Sequence, residues 1–275
     1  MANLDPRVVA DFGAEWRKFD QRGADPHELQ RLFDAYFAIF PWGRLPAHAE
    51  GFDAGCGSGR WALLVAPRVG KLHCVDASHE ALDVARRTLA GCANIEFHGV
   101  AIDRMPMPDG SMDFGYSLGV LHHVPDTPRA LRDCVRKLKS GAPLLVYLYY
   151  ALDNRPAWFR ALFRGVDFGR RVISRLPSGP KYAVSQIIAA FVYWPLARSA
   201  SALEAVGIAT DRLPLSQYRD KSFYTMRTDA LDRFGTRLEH RFSRDEVVAM
   251  MTDAGLRDVR VSERPPYWCA VGLKE

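Results

Sequence analysis

The stretch "FDAGCGSGRWA", Phe52 to Ala62, decides the fold, because it places three glycines in a short turn directly after an apolar run. Gly55, Gly57 and Gly59 carry no Cβ, so the backbone N–H groups of this turn can approach a ligand closely where a helix begins. The dinucleotide pattern G-x-G-x-x-G/A also fits, from Gly57 and Gly59 to Ala62. The glycines therefore predict a ligand-binding turn without selecting the ligand.

Strand and helix patterns alternate along the chain around this turn, which predicts parallel strands joined by right-handed crossovers. The predicted strands are Gly51–Ala54, Leu72–Asp76, Ile95–His98, Met112–Leu118 and Pro143–Tyr150. The predicted helices between them are Arg60–Pro67, Glu80–Ala90 and Pro128–Lys139. A helix in "SRDEVVAMMTDAGL", capped by Ser243, and strands in "RDVRVSE" and "YWCAVGL" follow near the C-terminus. We predict an α/β fold with a doubly wound, mostly parallel sheet of seven strands.

Helical patterns flank and interrupt this α/β core. From Asp5 to about Phe40, apolar residues recur at helical spacing, which predicts two helices split around "RGADP". A long insertion follows the fifth predicted strand, and "PAWFRALFRGVDFGRRVISRL" within it predicts an amphipathic helix with a charged, solvated side. The predicted domains are an N-terminal helical cap (1–47), the α/β core (48–150), a helical lid or substrate insertion (151–240) and the completion of the core (241–275).

The apolar segment 182–198 lies inside this insertion and is apolar on nearly every face. It is too short, and too interrupted by Ser185, Gln186 and Pro195, to predict a transmembrane span of about twenty apolar residues. A lid, a homodimer surface and contact with a lipophilic ligand are the alternatives that this segment leaves open.

Composition and charge narrow the function classes. Hydrophobic residues make up 48% of the chain and charged residues 25%, which is typical of a globular protein. The net charge of +5 is dispersed and no dense basic run accompanies it, so we expect no nucleic-acid partner. The five cysteines are scattered and never form C-x-x-C, which predicts reduced thiols and no metal site. No secretory signal pattern opens the chain, and we expect a cytoplasmic location.

Asp76 ends the second predicted strand, in "LHCVDAS", about twenty residues beyond the glycine turn. A carboxylate in that position can accept hydrogen bonds from both ribose hydroxyls of an adenosine. Nicotinamide dinucleotides and S-adenosylmethionine both offer such a ribose. The alternative interpretation is that Asp76 only caps the following helix.

Three segments in succession separate the two cofactors. Asp53 opens the glycine turn, "MPMPDGSMDFGYSLGVLHHVPD" runs from Met105 to Asp126, and "ALRDCVRKLKSGAPLLVYLYY" runs from Ala130 to Tyr150. In this order they resemble class I S-adenosylmethionine-dependent methyltransferases. The resemblance covers about 51–150 well and 242–273 loosely, and the opening "ADFGAEWRKFDQ" resembles the helical cap of some bacterial members.

The resemblance implies a cofactor site for S-adenosylmethionine. The acid and the glycines of the turn would hold the methionine end of the cofactor. The acid at the end of the second strand and the residue after it would hold the ribose, and two residues after the third strand would hold the adenine. The commonly acidic adenine position is Ala101 here, so the acid two residues on takes over that contact. The implied cofactor residues are Asp53, Gly55, Gly57, Gly59, Asp76, Ala77, Ile102, Asp103 and Leu118.

The acceptor site is less determined. The resemblance to phosphoethanolamine-type methyltransferases implies that His122 is a general base, which suits imidazole because its pKa is near neutrality. A structural role for His122 is the alternative, and His240 is a second catalytic candidate. The segment "SQYRDKSFYTMRTDALDRFGTRLEHRFS" is interpreted as a loop region that closes over the acceptor. Candidate acceptor contacts are Trp16, Phe19, His123, Tyr218, Tyr224 and Arg227.

These observations predict methyl transfer from S-adenosylmethionine to a small molecule, most often at oxygen in this family and otherwise at nitrogen or carbon. The aromatic, apolar insertion favours a lipophilic or aromatic acceptor. Two other classes stay open: a nicotinamide-dependent oxidoreductase and a non-catalytic binding subunit with the same fold.

Overall fold

The computed structural model describes residues 2–20, 23–153, 155–210 and 213–275, and the chain divides into two compact units. The first unit comprises Met1–Gln21, Leu29–Ala151 and Leu238–Glu275, and the second comprises Arg22–Glu28 and Leu152–Arg237. The second unit therefore nearly coincides with the predicted insertion, 151–240. A short piece of the predicted N-terminal cap joins it.

In the part of the chain that the structure describes, seven strands form the sheet of the first unit, in the order β3-β2-β1-β4-β5-β7-β6. Strands β1 to β5 are parallel, and β7 runs antiparallel to both β5 and β6. The predicted α/β fold with a mostly parallel seven-stranded sheet is confirmed. The strands are β1 (Glu50–Ala54), β2 (Lys71–Val75), β3 (Ile95–His98), β4 (Phe114–Leu118), β5 (Pro143–Tyr147), β6 (Leu256–Val261) and β7 (Cys269–Lys274).

Helices cover both faces of this sheet. Phe52, Leu131 and Val247 belong to one buried hydrophobic cluster, and Tyr116 and Phe33 belong to a second one. These two layers give a doubly wound fold, because each parallel crossover places a helix on one face or the other. The helices are α1 (Pro6–Lys18), α2 (Pro26–Tyr36), α3 (Ala62–Val65), α4 (His79–Thr88), α5 (Thr127–Lys137) and α10 (Arg244–Asp253).

Local sequence signals explain where several of these helices begin and end. The Ser243 hydroxyl accepts a hydrogen bond from the Glu246 N–H, and the Glu246 side chain bonds back to Ser243, which is a complete capping box. The predicted cap is thus confirmed. Helix α3 is shorter than the predicted Arg60–Pro67, because the chain tightens into a 3₁₀ turn at Ala66–Arg68 that contains Pro67.

The order of the strands reverses between β1 and β4, which are neighbours in the sheet. In a doubly wound sheet, the crevice beyond the carboxyl ends of strands at such a reversal is where ligands bind. The glycine turn directly follows β1, and the 3₁₀ turn Leu121–His123 follows β4. The fold therefore brings together the two segments that the sequence singles out.

The second unit is helical within the described residues. Its buried centre includes Ala189, Tyr193, Met226 and Phe234. A π-helical turn, Ala189–Tyr193, joins two of the helices into one run. None of the helices described in the structure is long and apolar enough to cross a bilayer. The helices are α6 (Ala157–Ile173), α7 (Ser178–Ile188), α8 (Trp194–Ala205) and α9 (Phe223–Gly235).

The interpretation of the segment that starts at Ser216 as a loop region is wrong for its central part, because helix α9 occupies Phe223–Gly235. Ser222 caps this helix by accepting a hydrogen bond from the Thr225 N–H. Met226, Ala230 and Phe234 recur at helical spacing and are buried, so packing stabilises the helix. The sequence did not predict this helix, because many polar side chains at its other positions mask the short apolar pattern.

Candidate cofactor and acceptor site

The glycine turn adopts a backbone conformation that other residues rarely take. Gly55, Gly57 and Gly59 have φ of +86°, +53° and +78°. A Cβ at Gly55 would lie 2.4 Å from a methyl carbon of Val120, and one at Gly57 would lie 3.0 Å from the Trp16 ring. The turn is tied to β2, since the Gly55 N–H donates to the Val75 carbonyl over 2.7 Å. Both the backbone shape and its close neighbours therefore require glycine at position 55.

Asp76 braces the glycine turn against the start of α4. One carboxylate oxygen accepts the Gly57 N–H at 2.9 Å, and the other accepts the Ser78 N–H at 2.8 Å. Burial raises the pKa of Asp76, and these two N–H groups act in the opposite direction. Each carboxylate oxygen can accept a further hydrogen bond, so a ribose still fits. Ala77 beside it is half-buried, and Leu118 at the end of β4 is buried.

Asp53 is the most unusual charge in the first unit. It is 1% exposed, and among the described residues neither of its oxygens has a hydrogen-bond partner. Burial raises the pKa of Asp53 to about 8, and the nearby Asp76 carboxylate adds to the rise. The Ser58 hydroxyl is likewise buried and lacks a partner within the described ranges. The buried Tyr116 hydroxyl lies near the Asp53 carboxylate and partly offsets the rise in its pKa. Buried polar groups of this kind normally have partners, so the cradle fits a ligand with an ammonium and a carboxylate, as a methionine end has.

The expected adenine contact, Asp103, is partly engaged by the protein itself. One oxygen accepts the Asn3 N–H at 3.1 Å and an Arg129 N–H at 3.3 Å. The other oxygen is buried and has no partner in the described part of the chain. Asn3 also exchanges two hydrogen bonds with the backbone of Asp126. Ile102 is half-buried, so an adenine contact by Asp103 would use its second oxygen.

His122 is completely buried in the turn that follows β4. Its ring stacks on Tyr149 with centroids 3.8 Å apart, and neither ring nitrogen has a hydrogen-bond partner among the residues described. Burial holds the pKa of His122 well below its usual range, and positive charge at His123, Arg241 and His240 adds to the effect. His122 is therefore a neutral imidazole.

The second catalytic candidate lies directly beside the first. The His240 N–H donates to the His122 carbonyl at 2.9 Å. The next residue, Arg241, lies over the Tyr149 ring at 5.2 Å and pairs with the nearly inaccessible Glu239 at 2.6 Å. Tyr149, Glu239 and Arg241 are site residues that the sequence reasoning missed. The available signal was the position of Tyr149, which lies two residues beyond β5, the neighbour of β4.

Residues 52–146, which include the glycine turn, Asp76 and His122, match the family described as the methyltransferase domain. The chain carries a class I S-adenosylmethionine-dependent methyltransferase domain. The predicted family, enzyme class and cofactor, S-adenosylmethionine, are confirmed.

Two curated relatives show what the methyltransferase domain is similar to. Ubiquinone biosynthesis O-methyltransferase of Idiomarina loihiensis is 25% identical over 188 residues, or 64% of this chain and 72% of that protein. Ajmaline N-methyltransferase of Rauvolfia serpentina is 31% identical over 144 residues, or 49% of this chain and 48% of that protein. The match to another curated relative covers only 41% of the length of that relative.

A solved S-adenosylmethionine-dependent methyltransferase from Aquifex aeolicus has the same fold. It superposes with a TM-score of 0.52 and 18% sequence identity, over 94% of this chain and 96% of that one. Because the superposition extends over nearly the whole of both chains, the shared fold is not confined to the matched domain.

Three of the expected acceptor contacts lie in the first unit, which contains the methyltransferase domain. His123 lies in contact with Phe12, and its Nδ1 bonds the Leu238 carbonyl at 2.7 Å. A carbonyl only accepts, so this nitrogen carries the proton. Trp16 lies against the glycine turn, which places it at the predicted cofactor rather than in a separate pocket. Phe19 is 2% exposed and is a packing residue.

The other three expected acceptor contacts, Tyr218, Tyr224 and Arg227, belong to the second unit. Tyr218 is buried against the ring of Tyr193, with centroids 5.1 Å apart. The Arg227 guanidinium donates to side-chain oxygens of Gln186 and Tyr182. The Tyr224 ring packs against Gly23. All three thus make contacts inside the helical unit, and their acceptor role stays a prediction.

Proposed function

We propose that this protein transfers the methyl group of S-adenosylmethionine to a hydroxyl oxygen of a small lipophilic or aromatic metabolite. The observation that carries the proposal is the buried, neutral imidazole of His122, stacked on Tyr149 where β4 and β5 end. One relative is named an O-methyltransferase and another an N-methyltransferase, so the relatives support a small-molecule acceptor and leave its atom open.

The cofactor binds in the cradle of Asp53, the glycine turn and Asp76. When bound, S-adenosylmethionine supplies a sulfonium methyl group that is transferred by in-line displacement, so the protein's tasks are alignment and exclusion of water. Asp53 as a carboxylate pairs with the ammonium of the methionine end, and N–H groups of the turn bind its carboxylate. Asp76 binds the ribose hydroxyls through the lone pairs that its own N–H partners leave free.

His122 receives the proton of the acceptor hydroxyl. Because its pKa is well below the usual range, His122 is a weak base that suits an acidic hydroxyl, such as a phenol with a pKa of about 10, better than an aliphatic alcohol. The nearby Arg241 guanidinium favours negative charge developing on the acceptor oxygen. This combination is the reason to propose a phenolic or similarly acidic acceptor.

The second unit exposes much apolar surface. Of the described residues, every large apolar side chain that is exposed belongs to this unit. Such a concentration of apolar surface marks contact with an apolar ligand or partner. These side chains are Trp158, Leu162, Phe168, Val172, Ile187, Phe191, Val192, Trp194, Leu196, Val206, Ile208, Leu213 and Phe223. A homodimer through this surface is the alternative use that we propose for it.

Replacing His122 tests the catalytic part of the proposal. We expect His122→Gln to lower kcat roughly 30-fold, below the usual contribution of a general base, because the depressed pKa makes this imidazole weak. The affinity for S-adenosylhomocysteine should stay within about twofold, since the imidazole acts on the acceptor. The exposed His48→Gln is the matched control and should change neither quantity. An unchanged kcat in His122→Gln would assign His122 a structural role.

Replacing Asp76 tests the ribose contact. Asp76→Asn keeps the side-chain shape and one acceptor oxygen for the backbone N–H groups, but it loses the charge and the bidentate acceptance of two hydroxyls. We expect the affinity for S-adenosylhomocysteine to fall about tenfold to 30-fold by calorimetry. The control is Asp113→Asn, which also removes a carboxylate that accepts a backbone N–H, from Glu50. Equal losses in both variants would refute a specific ribose contact.

Methyl-labelled S-adenosylmethionine identifies the acceptor directly. The purified protein is incubated with the label and with pools of phenols, aliphatic alcohols and amines, and labelled products are identified by mass spectrometry. We expect label on a phenolic or similarly acidic hydroxyl. Label found only on nitrogen or carbon, or in no pool, would overturn the proposed acceptor.

A further inference from the structure

A cluster of histidines and acids on one sheet face is unrelated to the cofactor cradle. In the register of the parallel strands, His73 of β2 lies beside Glu96 of β3, and His98 follows two residues later on the same face. Glu50 of β1 lies on this face as well, next to Lys71 of β2. The methyl-transfer proposal uses none of these five side chains.

Ligand atoms of His73, Glu96 and His98 lie within 4.8 Å of one another. His73 Nδ1 lies 2.9 Å from His98 Nε2 and 3.7 Å from Glu96 Oε2, and His98 Nε2 lies 3.7 Å from Glu96 Oε1. Neighbouring ligands of a tetrahedral zinc ion, with bonds of about 2.0–2.1 Å, are separated by roughly 3.4 Å. The observed separations lie on both sides of that value. A small shift of the exposed Glu96 side chain would equalise them.

Glu50 orients His73 for such a role. Its Oε1 lies 2.8 Å from His73 Nε2, and a carboxylate there holds the ring proton on Nε2. The lone pair of Nδ1 then points into the cluster, where it accepts a hydrogen bond from His98 Nε2–H at 2.9 Å. This proton moves to His98 Nδ1 or to solvent when an ion binds. Metal-binding histidines commonly donate their other N–H to a carboxylate in this way, which fixes the ring and makes the ligand more basic.

We propose that His73, His98 and Glu96 bind a divalent transition-metal ion of the zinc type, with Glu50 as the residue that positions His73. The ion links β2 to the edge strand β3. It enters from the solvent side, because the Glu96 side chain is 48% exposed while His73 is buried. Imidazole and carboxylate ligands suit zinc, and a fourth position is left for water.

Lys71 occupies part of the site when no ion is bound. Its Nζ lies 2.6 Å from Glu96 Oε2 and 3.5 Å from Glu50 Oε1, so its ammonium neutralises the two acids. The ion must displace this ammonium from Glu96. Removing the Lys71 charge should therefore strengthen metal binding. A cluster that serves only as a structural ion pair would not show this increase in affinity.

The test uses the full-length protein after chelator treatment, with Zn²⁺ titrated by calorimetry and Co²⁺ as a spectroscopic probe. We expect one bound ion, a rise in melting temperature on loading, and a Co²⁺ spectrum without a thiolate charge-transfer band. His98→Gln and Glu96→Gln should each weaken binding about tenfold or more, Glu50→Gln about tenfold, and Lys71→Met should tighten it. His48→Gln, at an exposed histidine outside the cluster, should match the native protein.

Each alternative result has a defined meaning. Equal Zn²⁺ affinity in the native protein and His98→Gln, or no binding at all, would overturn the site. A thiolate band would assign the ion to the cysteines and overturn it as well. Glu96 and His98 are the principal variants because they are more exposed than His73. Circular dichroism spectra of both variants, compared with that of the native protein, check that they fold.

Discussion

Asp53→Asn is expected to weaken the binding of S-adenosylhomocysteine by about 100-fold to 1,000-fold while making the ligand-free protein more stable above neutral pH. The loss follows because the variant cannot carry the charge that pairs with the ligand's ammonium. The gain follows because a carboxylate without a hydrogen-bond partner in the described structure is costly to bury, and an amide of the same shape is less so.

The pH dependence of this stability has a definite sign. Burial raises the pKa of Asp53 to about 8 from its ordinary value of 3.8, so the folded protein retains a proton that the unfolded chain releases. Its stabilising contribution is complete below the unfolded pKa and is lost as pH rises through about 8. Asn does not titrate, and the melting temperature of Asp53→Asn should therefore exceed that of the native protein increasingly between about pH 5 and pH 9.

Calorimetry and thermal melts at several pH values measure both effects. Asp133→Asn is the control, because Asp133 is also buried but pairs with Arg136 at 2.8 Å. It should keep its affinity for S-adenosylhomocysteine. If Asp53→Asn instead bound the ligand normally, the ammonium would not be held by Asp53.

Gly55→Ala is expected to weaken S-adenosylhomocysteine binding by about 100-fold and to lower the free energy of unfolding by about 2–5 kcal/mol. A φ of +86° strains any residue with a Cβ, and this Cβ would meet the Val120 methyl groups at 2.4–2.5 Å. Relief requires the turn to move, which displaces the N–H groups that we propose bind the ligand.

Two further variants separate the strain from the clash. Gly110 has a φ of +69°, and the described residues leave open space around its hypothetical Cβ, so Gly110→Ala should cost only about 1 kcal/mol and leave binding unchanged. The double variant Gly55→Ala with Val120→Ala removes the clash and should recover part of the affinity. If Gly55→Ala bound the ligand as well as Gly110→Ala does, the turn would not be part of the cofactor cradle.

The sequence predicted the sheet, and it singled out the turn that we propose holds the cofactor, because both depend on local signals. A few consecutive residues determine each apolar strand, each cap such as Ser243, and the turn around Gly55. The family resemblance added Asp53 and Asp76, and the structure places both at the carboxyl ends of neighbouring strands, β1 and β2.

The remaining site residues depend on contacts that no local pattern encodes. Asn3 meets Asp126 across more than one hundred residues of sequence, and Arg241 reaches Tyr149 in the same long-range way. Tyr218 and Arg227, which the sequence offers as acceptor contacts, make contacts inside the helical unit, and their acceptor role stays a prediction. The sequence alone does not show whether a polar residue contacts another part of the protein or a ligand.

The sequence did not predict the histidine–acid cluster either, because its members come from three strands that are distant in the chain. The cysteine spacing predicted no metal site. Only the parallel register brings His73 and Glu96 side by side.

The measurement that tests the central claim most directly is a calorimetric comparison of S-adenosylhomocysteine and NADH as ligands of the native protein, Asp53→Asn and Asp76→Asn. We expect one S-adenosylhomocysteine per chain bound by the native protein, markedly weaker binding by both variants, and no binding of NADH. Tight binding of NADH, or S-adenosylhomocysteine affinities equal in all three proteins, would contradict the assignment of this cradle to S-adenosylmethionine.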